Sequence, residues 1–264
     1  MKKTAISILM LCVSISTYAQ SIIDTRPAND PSGKILTMEE TILSRKLTPQ
    51  WPRHSWDNTE AQEFPKELLK NKDLYIVRSA GDTIAVAISE SDQITYGQTV
   101  SRNEFGISGG IFFSPDATKL AFYRKDESRV TDFPLLDIQT RTGELKSIKY
   151  PMNGMASEHV SLGVYDIATG KTIYLNVTDF DEERYLTNIT WSPDSQRIYI
   201  QVLDRAQHNV HLNSYSASTG QMLKQILTEH NDRWVEPQHP LVFLESDPTR
   251  FIYATDNRDG YWNL

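Results

Sequence analysis

Cysteine is almost absent from this sequence of 264 residues, which contains a single one. That residue, Cys12, lies inside an apolar segment at the N-terminus, so the chain without this segment has no disulfide and no thiolate metal site. Runs of lysine and arginine are also absent, and the formal net charge of −7 at pH 7 is unfavourable for binding nucleic acid. No glycine-rich phosphate-binding loop is present. We therefore expect no nucleic-acid partner, no metal and no cofactor.

Long apolar runs are confined to the N-terminus, where they have the pattern of a secretion signal. Lys2 and Lys3 precede a short apolar core at residues 5–16, and Ala19 ends a cleavage sequence of the type that signal peptidase recognises. The apolar core is too short to span a bilayer, which argues against a membrane anchor. The sequence therefore predicts a signal peptide at residues 1–19, cleaved after Ala19. It predicts a periplasmic or secreted mature protein with no membrane span.

Residues 20–70 are predicted to be an N-terminal leader with one short helix. Proline, aspartate, serine and glycine occur without periodicity over residues 20–35, which is typical of an irregular segment. The helix is predicted at residues 37–47, where Thr37 and Glu40 have the spacing of a capping box. Residues 71–264 then consist of short predicted strands.

A strand–turn–strand unit recurs in this second region. Its turn is Ser-Pro-Asp at residues 114–116 and again at residues 192–194, and a weaker copy occupies residues 242–254. Proline presets φ for the turn, while the serine and aspartate side chains bond to nearby backbone amides. Each turn joins two runs rich in β-branched and aromatic residues. Such repetition indicates one supersecondary unit used several times.

A second hairpin type alternates with the first and gives the length of the repeat. Tyr165 and Tyr215 occupy the same position in two such hairpins, 50 residues apart. The blades of β-propellers repeat at about 40–50 residues and contain four strands. The region from residue 74 onward therefore has the length of about four blades. We expect an all-β fold that is a partial β-propeller.

The motifs, in chain order, are RNEFGI at 102–107, FFSPDATKLAFYRKDES at 112–128, KYPM at 149–152, VSLGVYD at 160–166, YLTNITWSPD at 185–194, VEPQHP at 235–240 and RDGY at 258–261. In this order they resemble the N-terminal β-propeller domain of dipeptidyl peptidase IV-type serine exopeptidases. The resemblance covers residues 36–264 and is strongest to the bacterial prolyl tripeptidyl aminopeptidases.

The resemblance implies a fold and a role. The family propeller has eight blades, so residues 71–264 would form an incomplete propeller that ends within a blade. The catalytic serine, aspartate and histidine of the family lie in a C-terminal α/β-hydrolase domain outside these residues, so we expect no catalytic residue and no peptidase activity from this chain alone. The implied role is to gate substrate and recognise the peptide N-terminus for hydrolysis after proline. The full-length form would have the hydrolase domain as partner and could form a homodimer. A stand-alone, non-catalytic periplasmic propeller for binding or scaffolding stays open as the alternative.

The resemblance also points to Glu104 as the residue that binds the substrate α-amino group. Family members carry two adjacent acids at this place, whereas here Asn103 precedes Glu104. A partly desolvated carboxylate holds an ammonium through charge-assisted hydrogen bonds. Arg102 and Asn103 are expected at the rim of the same site.

Three other sequence patterns resemble functional sites, but for each we prefer a structural interpretation. Ser108 lies in a G-x-S-x-G sequence, but a strand follows where a nucleophile elbow needs a helix, so we predict no nucleophile. The acidic cluster at residues 126–128 could line the rim of the Glu104 site, but a charge cluster after a strand is typical of a solvated turn, which is the preferred interpretation. His208 and His211 have metal-like spacing, but residues three apart on a strand point to opposite faces, so no metal site is predicted.

Overall fold

The computed structural model describes residues 65–78, 81–180, 183–257 and 260–261. The predicted signal peptide and leader helix lie outside the described residues. The regular structure of the described residues consists of sixteen β-strands and a short 3₁₀ turn at Ser101–Asn103, which confirms the all-β prediction. No helix in this part of the chain is long and apolar enough to cross a membrane.

The first sheet contains three antiparallel strands: β1 (Lys66–Lys70), β2 (Asp73–Val77) and β3 (Thr83–Ala87). β2 and β3 form a hairpin within the region predicted to consist of short strands, whereas β1 lies inside the segment predicted to be the leader. Residues of β2 alternate between buried and half-buried positions, because successive side chains of a strand point to opposite faces. Leu74 and Ile76 form its buried side.

The second sheet contains five strands in four positions. β4 (Ile94–Tyr96) and β5 (Ile111–Phe113) pair in line with the same neighbour, β6 (Lys119–Asp126). A separate hairpin follows, made of β7 (Asp132–Asp137) and β8 (Glu144–Lys149). β9 (His159–Asp166) then pairs with β6, and β10 (Lys171–Tyr174) pairs with β9.

The third sheet has the strand order β11 (Arg184–Trp191), β12 (Arg197–Asp204), β13 (Asn209–Ser216) and β14 (Met222–His230). The fourth is the pair β15 (Val242–Leu244) and β16 (Asp247–Ile252). Each of the three predicted strand–turn–strand units is an antiparallel pair in the structure.

The second and third sheets repeat one architecture, which explains the spacing seen in the sequence. Tyr165 on β9 and Tyr215 on β13 hold the same position, opposite Leu120 and Ile198 of the preceding strands. The connection from β6 to β9 has 32 residues and includes the β7–β8 hairpin, whereas the connection from β12 to β13 has four. The β7–β8 hairpin is therefore an insertion into an arrangement of four adjacent strand rows that both sheets share.

The Ser-Pro-Asp turns use the same hydrogen bonds in both sheets. The Ser114 hydroxyl donates to Asp116 Oδ1 (2.6 Å) and accepts from Lys119 N (2.9 Å). In the third sheet the Ser192 hydroxyl donates to Asp194 Oδ1 (2.5 Å) and accepts from Arg197 N (2.9 Å). The motif thus satisfies backbone groups at the end of each hairpin.

Buried apolar residues hold the successive sheets face to face. The largest cluster contains residues of the second and third sheets, among them Leu162 and Ile200. Two polar contacts cross the same interface: the Tyr123 hydroxyl donates to Leu186 O (2.6 Å), and Trp191 Nε1 donates to Phe112 O (3.0 Å). Further clusters join the first sheet to the second and the third to the fourth.

Candidate functional site

β4 and β5 lie in line along one edge of the second sheet, and a loop separates them. Tyr123 on β6 joins both ends of this loop: its carbonyl accepts from Gly97 N (2.8 Å), and its N–H donates to Gly110 O (3.0 Å). A Cβ added at Gly110 would overlap the carbonyl oxygens of Gly97 and Gln98. Only glycine permits this approach, so the chain can leave the strand and return to the next ladder position. We call residues 98–109 the excursion loop.

A left-handed turn of three non-glycine residues lies within the excursion loop. Ser101, Arg102 and Asn103 have φ values of 49°, 54° and 63°. Two hydrogen bonds close the turn, from Asn103 N to Val100 O (3.1 Å) and from Glu104 N to Ser101 O (3.0 Å). The left-handed conformation costs an L-residue roughly 1–2 kcal/mol. Other contacts must therefore hold this turn, and strained backbone of this kind is concentrated at ligand sites.

Two of these contacts come from the segments around the β7–β8 hairpin. Glu158, just before β9, accepts a hydrogen bond from Ser101 N at Oε1 (2.5 Å). The guanidinium of Arg102 lies over the ring of Tyr150, 4.2 Å from its centroid, in cation–π geometry. The first half of the turn is thus fixed by a carboxylate and an aromatic ring.

The far side of the turn is anchored on the third sheet. Phe105 is 4% exposed and its ring centroid lies 4.8 Å from that of Tyr185. Asn188, at a bulge in β11, donates from Nδ2 to Phe105 O (3.3 Å) and to Pro237 O (2.9 Å). Residues on both sides of Glu104 are therefore fixed, although its own side chain is exposed.

The predicted site residues Arg102, Asn103 and Glu104 line one cavity of about 400 Å³. The structure therefore brings together the three residues that the sequence predicted, while their roles stay predictions. Within the described residues, the Glu104 carboxylate makes no ion pair. The cavity walls also include the end of β6, the segment after β8 and the start of β11.

Charged side chains dominate the cavity walls. The cations are Arg102, Lys125, Lys149, Arg184 and Arg205, and the carboxylates are Glu104, Glu127 and Glu158. Three cations are neutralised by ion pairs: Lys125 with Glu127 (3.2 Å), Lys149 with Asp132 (3.1 Å) and Arg205 with Glu183 (3.2 Å). The cavity therefore presents both signs of charge to a ligand.

The acidic cluster at residues 126–128 differs from its predicted form as a solvated turn. The Glu127 side chain is 21% exposed, pairs with Lys125 and lines the cavity. Burial alone would raise the pKa of Asp126, but hydrogen bonds from Ser128 and the charge of Arg124 outweigh it and lower the pKa. The preferred interpretation was wrong for Glu127, which lines the cavity as the alternative had it, because the sequence does not show which residues of the excursion loop lie beside this strand end.

Ser108, His208 and His211 are not among the residues that line the cavity. Ser108 is exposed and is followed by β5, with no helix after it. His208 Nδ1 bonds to Asn231 O (3.0 Å), whereas His211 Nδ1 contacts Asp179 Oδ1 (2.7 Å). Among the residues that the structure describes, no group of three or more histidine, cysteine or acidic side chains is placed to hold a metal ion.

Glu158, Asn188 and Arg184 are cavity or anchor residues that sequence reasoning missed. Glu158 lies in a stretch without periodicity, and Arg184 and Asn188 lie on β11, whose sequence predicts only a strand. No local pattern marks them, because Glu158 and Asn188 contact the excursion loop across long sequence separations and Arg184 lines the cavity only through the folding of the chain.

Comparison with known proteins identifies the family. The family model described as dipeptidyl peptidase IV (DPP IV) N-terminal region matches residues 68–264. The chain belongs to this family. The four successive sheets of this dipeptidyl peptidase IV N-terminal region correspond to the predicted blades, and the expected all-β, partial β-propeller fold is confirmed.

Solved structures and curated proteins agree with this family membership. A crystal structure from Bacteroides ovatus, assigned as a dipeptidyl aminopeptidase IV, has 43% identity and a TM-score of 0.69, and the match covers 78% of this chain and 29% of that one. Dipeptidyl peptidase 4 of Porphyromonas gingivalis has 21% identity and a TM-score of 0.65, covering 76% and 30%, and supports the fold. A protein of Aspergillus clavatus assigned as dipeptidyl-aminopeptidase B is 24% identical over 69% of this chain. The chain spans 22% of the length of that relative.

Proposed function

We propose that this domain gates substrate and recognises the peptide N-terminus for a secreted prolyl dipeptidyl or tripeptidyl aminopeptidase. Hydrolysis after proline would be carried out by an α/β-hydrolase domain outside these 264 residues. The observation that carries the proposal is the placement of Glu104. A strained turn presents this carboxylate to a cavity of about 400 Å³, and no ion pair within the described residues neutralises it.

The chemistry of an exopeptidase explains why such a carboxylate is useful. The enzyme must detect a free α-ammonium at a set distance from the bond that it cleaves. A fixed carboxylate holds the ammonium by a charge-assisted hydrogen bond, and this contact positions the scissile bond relative to the nucleophile. The backbone anchors on either side of Glu104 provide the required rigidity.

The names of the similar proteins support a dipeptidyl peptidase, and the motifs resemble the tripeptidyl enzymes most. The proposal therefore includes release of either dipeptides or tripeptides. It also includes a periplasmic or secreted location with a mature N-terminus at Gln20, which N-terminal mass spectrometry would check. The homodimer expected for the full-length form is a further part, and analytical ultracentrifugation of that form would check it.

Replacing Glu104 tests the function directly. Residues 71–264 would replace the matching segment of the full-length Bacteroides ovatus relative, and chromogenic Xaa-Pro and Xaa-Xaa-Pro substrates would be assayed. Glu104→Gln removes the charge and keeps the shape. Losing one charge-assisted partner costs about 1.5–3 kcal/mol, so kcat/KM for free-amine substrates should fall about ten- to a hundredfold.

N-acetylated substrates and a distant variant provide the controls. Turnover of N-acetylated substrates should change little in Glu104→Gln, because they carry no ammonium. Glu144→Gln on the exposed face of β8 should leave both substrates unaffected. Equal losses on free and acetylated substrates, or no loss on either, would show that Glu104 is an ordinary loop carboxylate.

A further inference from the structure

Two carboxylates of the cavity have no ion-pair partner within the described residues. Of the three acidic side chains that line it, Glu127 is paired with Lys125 at 3.2 Å. Glu104 and Glu158 remain. They come from different segments, the excursion loop and the connection between β8 and β9, and line the same cavity.

Glu158 is tied to the turn that presents Glu104. Its Oε1 accepts the hydrogen bond from Ser101 N, at the first residue of the left-handed turn. A carboxylate has two oxygens and about four acceptor positions, and this bond occupies one of them. The Glu158 side chain, which is half-buried, therefore keeps acceptor capacity at the cavity.

A second carboxylate would strengthen the binding of an ammonium in this cavity. An α-ammonium has three N–H donors, and a partly desolvated cation must be paired and hydrogen-bonded. Two cationic side chains of the same walls, Arg102 and Arg184, have no ion pair within the described residues and would repel it. A second carboxylate offsets this repulsion and accepts a further N–H. Position 103 cannot supply that charge, because it is Asn103.

We propose that Glu158 is the second carboxylate of the amine-binding site, acting together with Glu104. This inference rests on the proposed function. Glu158 then has two effects, since its Oε1 fixes the turn and its charge attracts the substrate ammonium.

Peptide binding to the 264-residue chain separates these two effects. The probe is Ala-Ala-Pro with a free amine, compared with N-acetyl-Ala-Ala-Pro, titrated at pH 7 and followed by ligand-observed NMR. Glu158→Gln keeps an oxygen that can accept from Ser101 N but removes the charge. We expect its dissociation constant for the free-amine peptide to rise about tenfold or more, with binding of the acetylated peptide unchanged. Wild-type affinity in Glu158→Gln would overturn the inference.

Two further variants make the test specific. Glu127→Gln removes a carboxylate from the same cavity that is already paired, and it should raise the dissociation constant much less than Glu158→Gln. An equal rise in both variants would show a general effect of cavity charge and would contradict a specific role for Glu158. Glu158→Ala removes both the charge and the turn contact and should bind no better than Glu158→Gln.

Glu104→Gln distinguishes failure of this inference from failure of the proposed function. If Glu104→Gln weakens free-amine binding and Glu158→Gln does not, the amine site stands and Glu158 only positions the turn. If neither variant weakens it, or the wild type binds free and acetylated peptides equally, the proposed function fails and the inference fails with it.

Discussion

Single residues set the geometry of the excursion loop. Gly110 allows the two ends of the loop to approach, and Asn188 ties Phe105 to the third sheet. Neither residue contacts a catalytic group, yet both determine where Glu104 lies. The close approach that Gly110 permits and the buried amide of Asn188 together hold the Glu104 backbone in place.

Replacing Gly110 tests this dependence. In Gly110→Ala the added methyl group would overlap the carbonyl oxygens of Gly97 and Gln98. These are backbone atoms, so they cannot relieve the overlap by a change of rotamer. We expect the chain to lose about 1–3 kcal/mol of unfolding free energy, as overpacked sites do. Urea denaturation measures this loss. Gly109→Ala is the matched control, because a Cβ there meets no atom within 4 Å, and an equal loss in both variants would contradict the explanation.

At the scale of elements, the sheets are held to one another by apolar packing with few polar contacts. The Tyr123 hydroxyl, on a side chain that is 1% exposed, donates across the interface to Leu186 O. Burial raises the pKa of Tyr123 well above its usual range, so the hydroxyl stays a donor at all ordinary pH values. The bond orients the second sheet relative to the third.

Tyr123→Phe tests the value of this bond. The ring still fills its site, but the carbonyl of Leu186 stays buried without this donor. We expect a loss of about 1–3 kcal/mol in unfolding free energy, measured by chemical denaturation. Tyr199→Phe is the control, since the Tyr199 ring packs against Phe243 and its hydroxyl has no hydrogen bond within the described residues. A Tyr123→Phe variant as stable as the control would contradict the prediction.

At the scale of the whole molecule, aspartates at hairpin ends and sheet junctions are held in their charged form. Burial alone would raise the pKa of Asp116, but hydrogen bonds from Ser114 and Thr118 outweigh it and lower the pKa to about 2. The pKa of Asp194 is lowered chiefly by the hydrogen bond from Ser192. These carboxyls take up protons more readily when the chain is unfolded, so acid favours unfolding.

The stability of the molecule should therefore fall between about pH 4 and pH 2. A carboxyl with a depressed folded pKa stabilises the fold above its unfolded value of 3.8 and loses that effect as the pH approaches about 2. Denaturation midpoints measured from pH 6 to pH 2 should show this slope. The Asp116→Asn variant should show a smaller slope of stability against pH than the wild type, whereas Asp92→Asn, at an exposed site, should show the wild-type slope. Identical slopes in the wild type and both variants would contradict the role of Asp116 in acid unfolding.

The fold could be predicted from local sequence patterns, whereas only part of the candidate site could be predicted from the sequence. Ser-Pro-Asp turns and alternating apolar residues are local signals, so the hairpins and the repeat could be predicted from them. The place of Glu104 in the candidate site could be predicted because the residue lies within the family motif at residues 102–107. Glu158 and Asn188 could not, since they act on residues 57 and 83 positions away in the chain.

The amino-acid sequence by itself determined the strand pairs, the repeating turns and the all-β class, because strand alternation and turn hydrogen bonds depend on neighbouring residues. Only the tertiary structure decided that residues 98–109 leave the sheet as an excursion loop, with a left-handed turn held between two sheets. It also decided that Glu104 and Glu158 share a cavity with five cationic side chains. These features depend on the packing of segments that are distant in the chain, and no local pattern records which of those segments will meet.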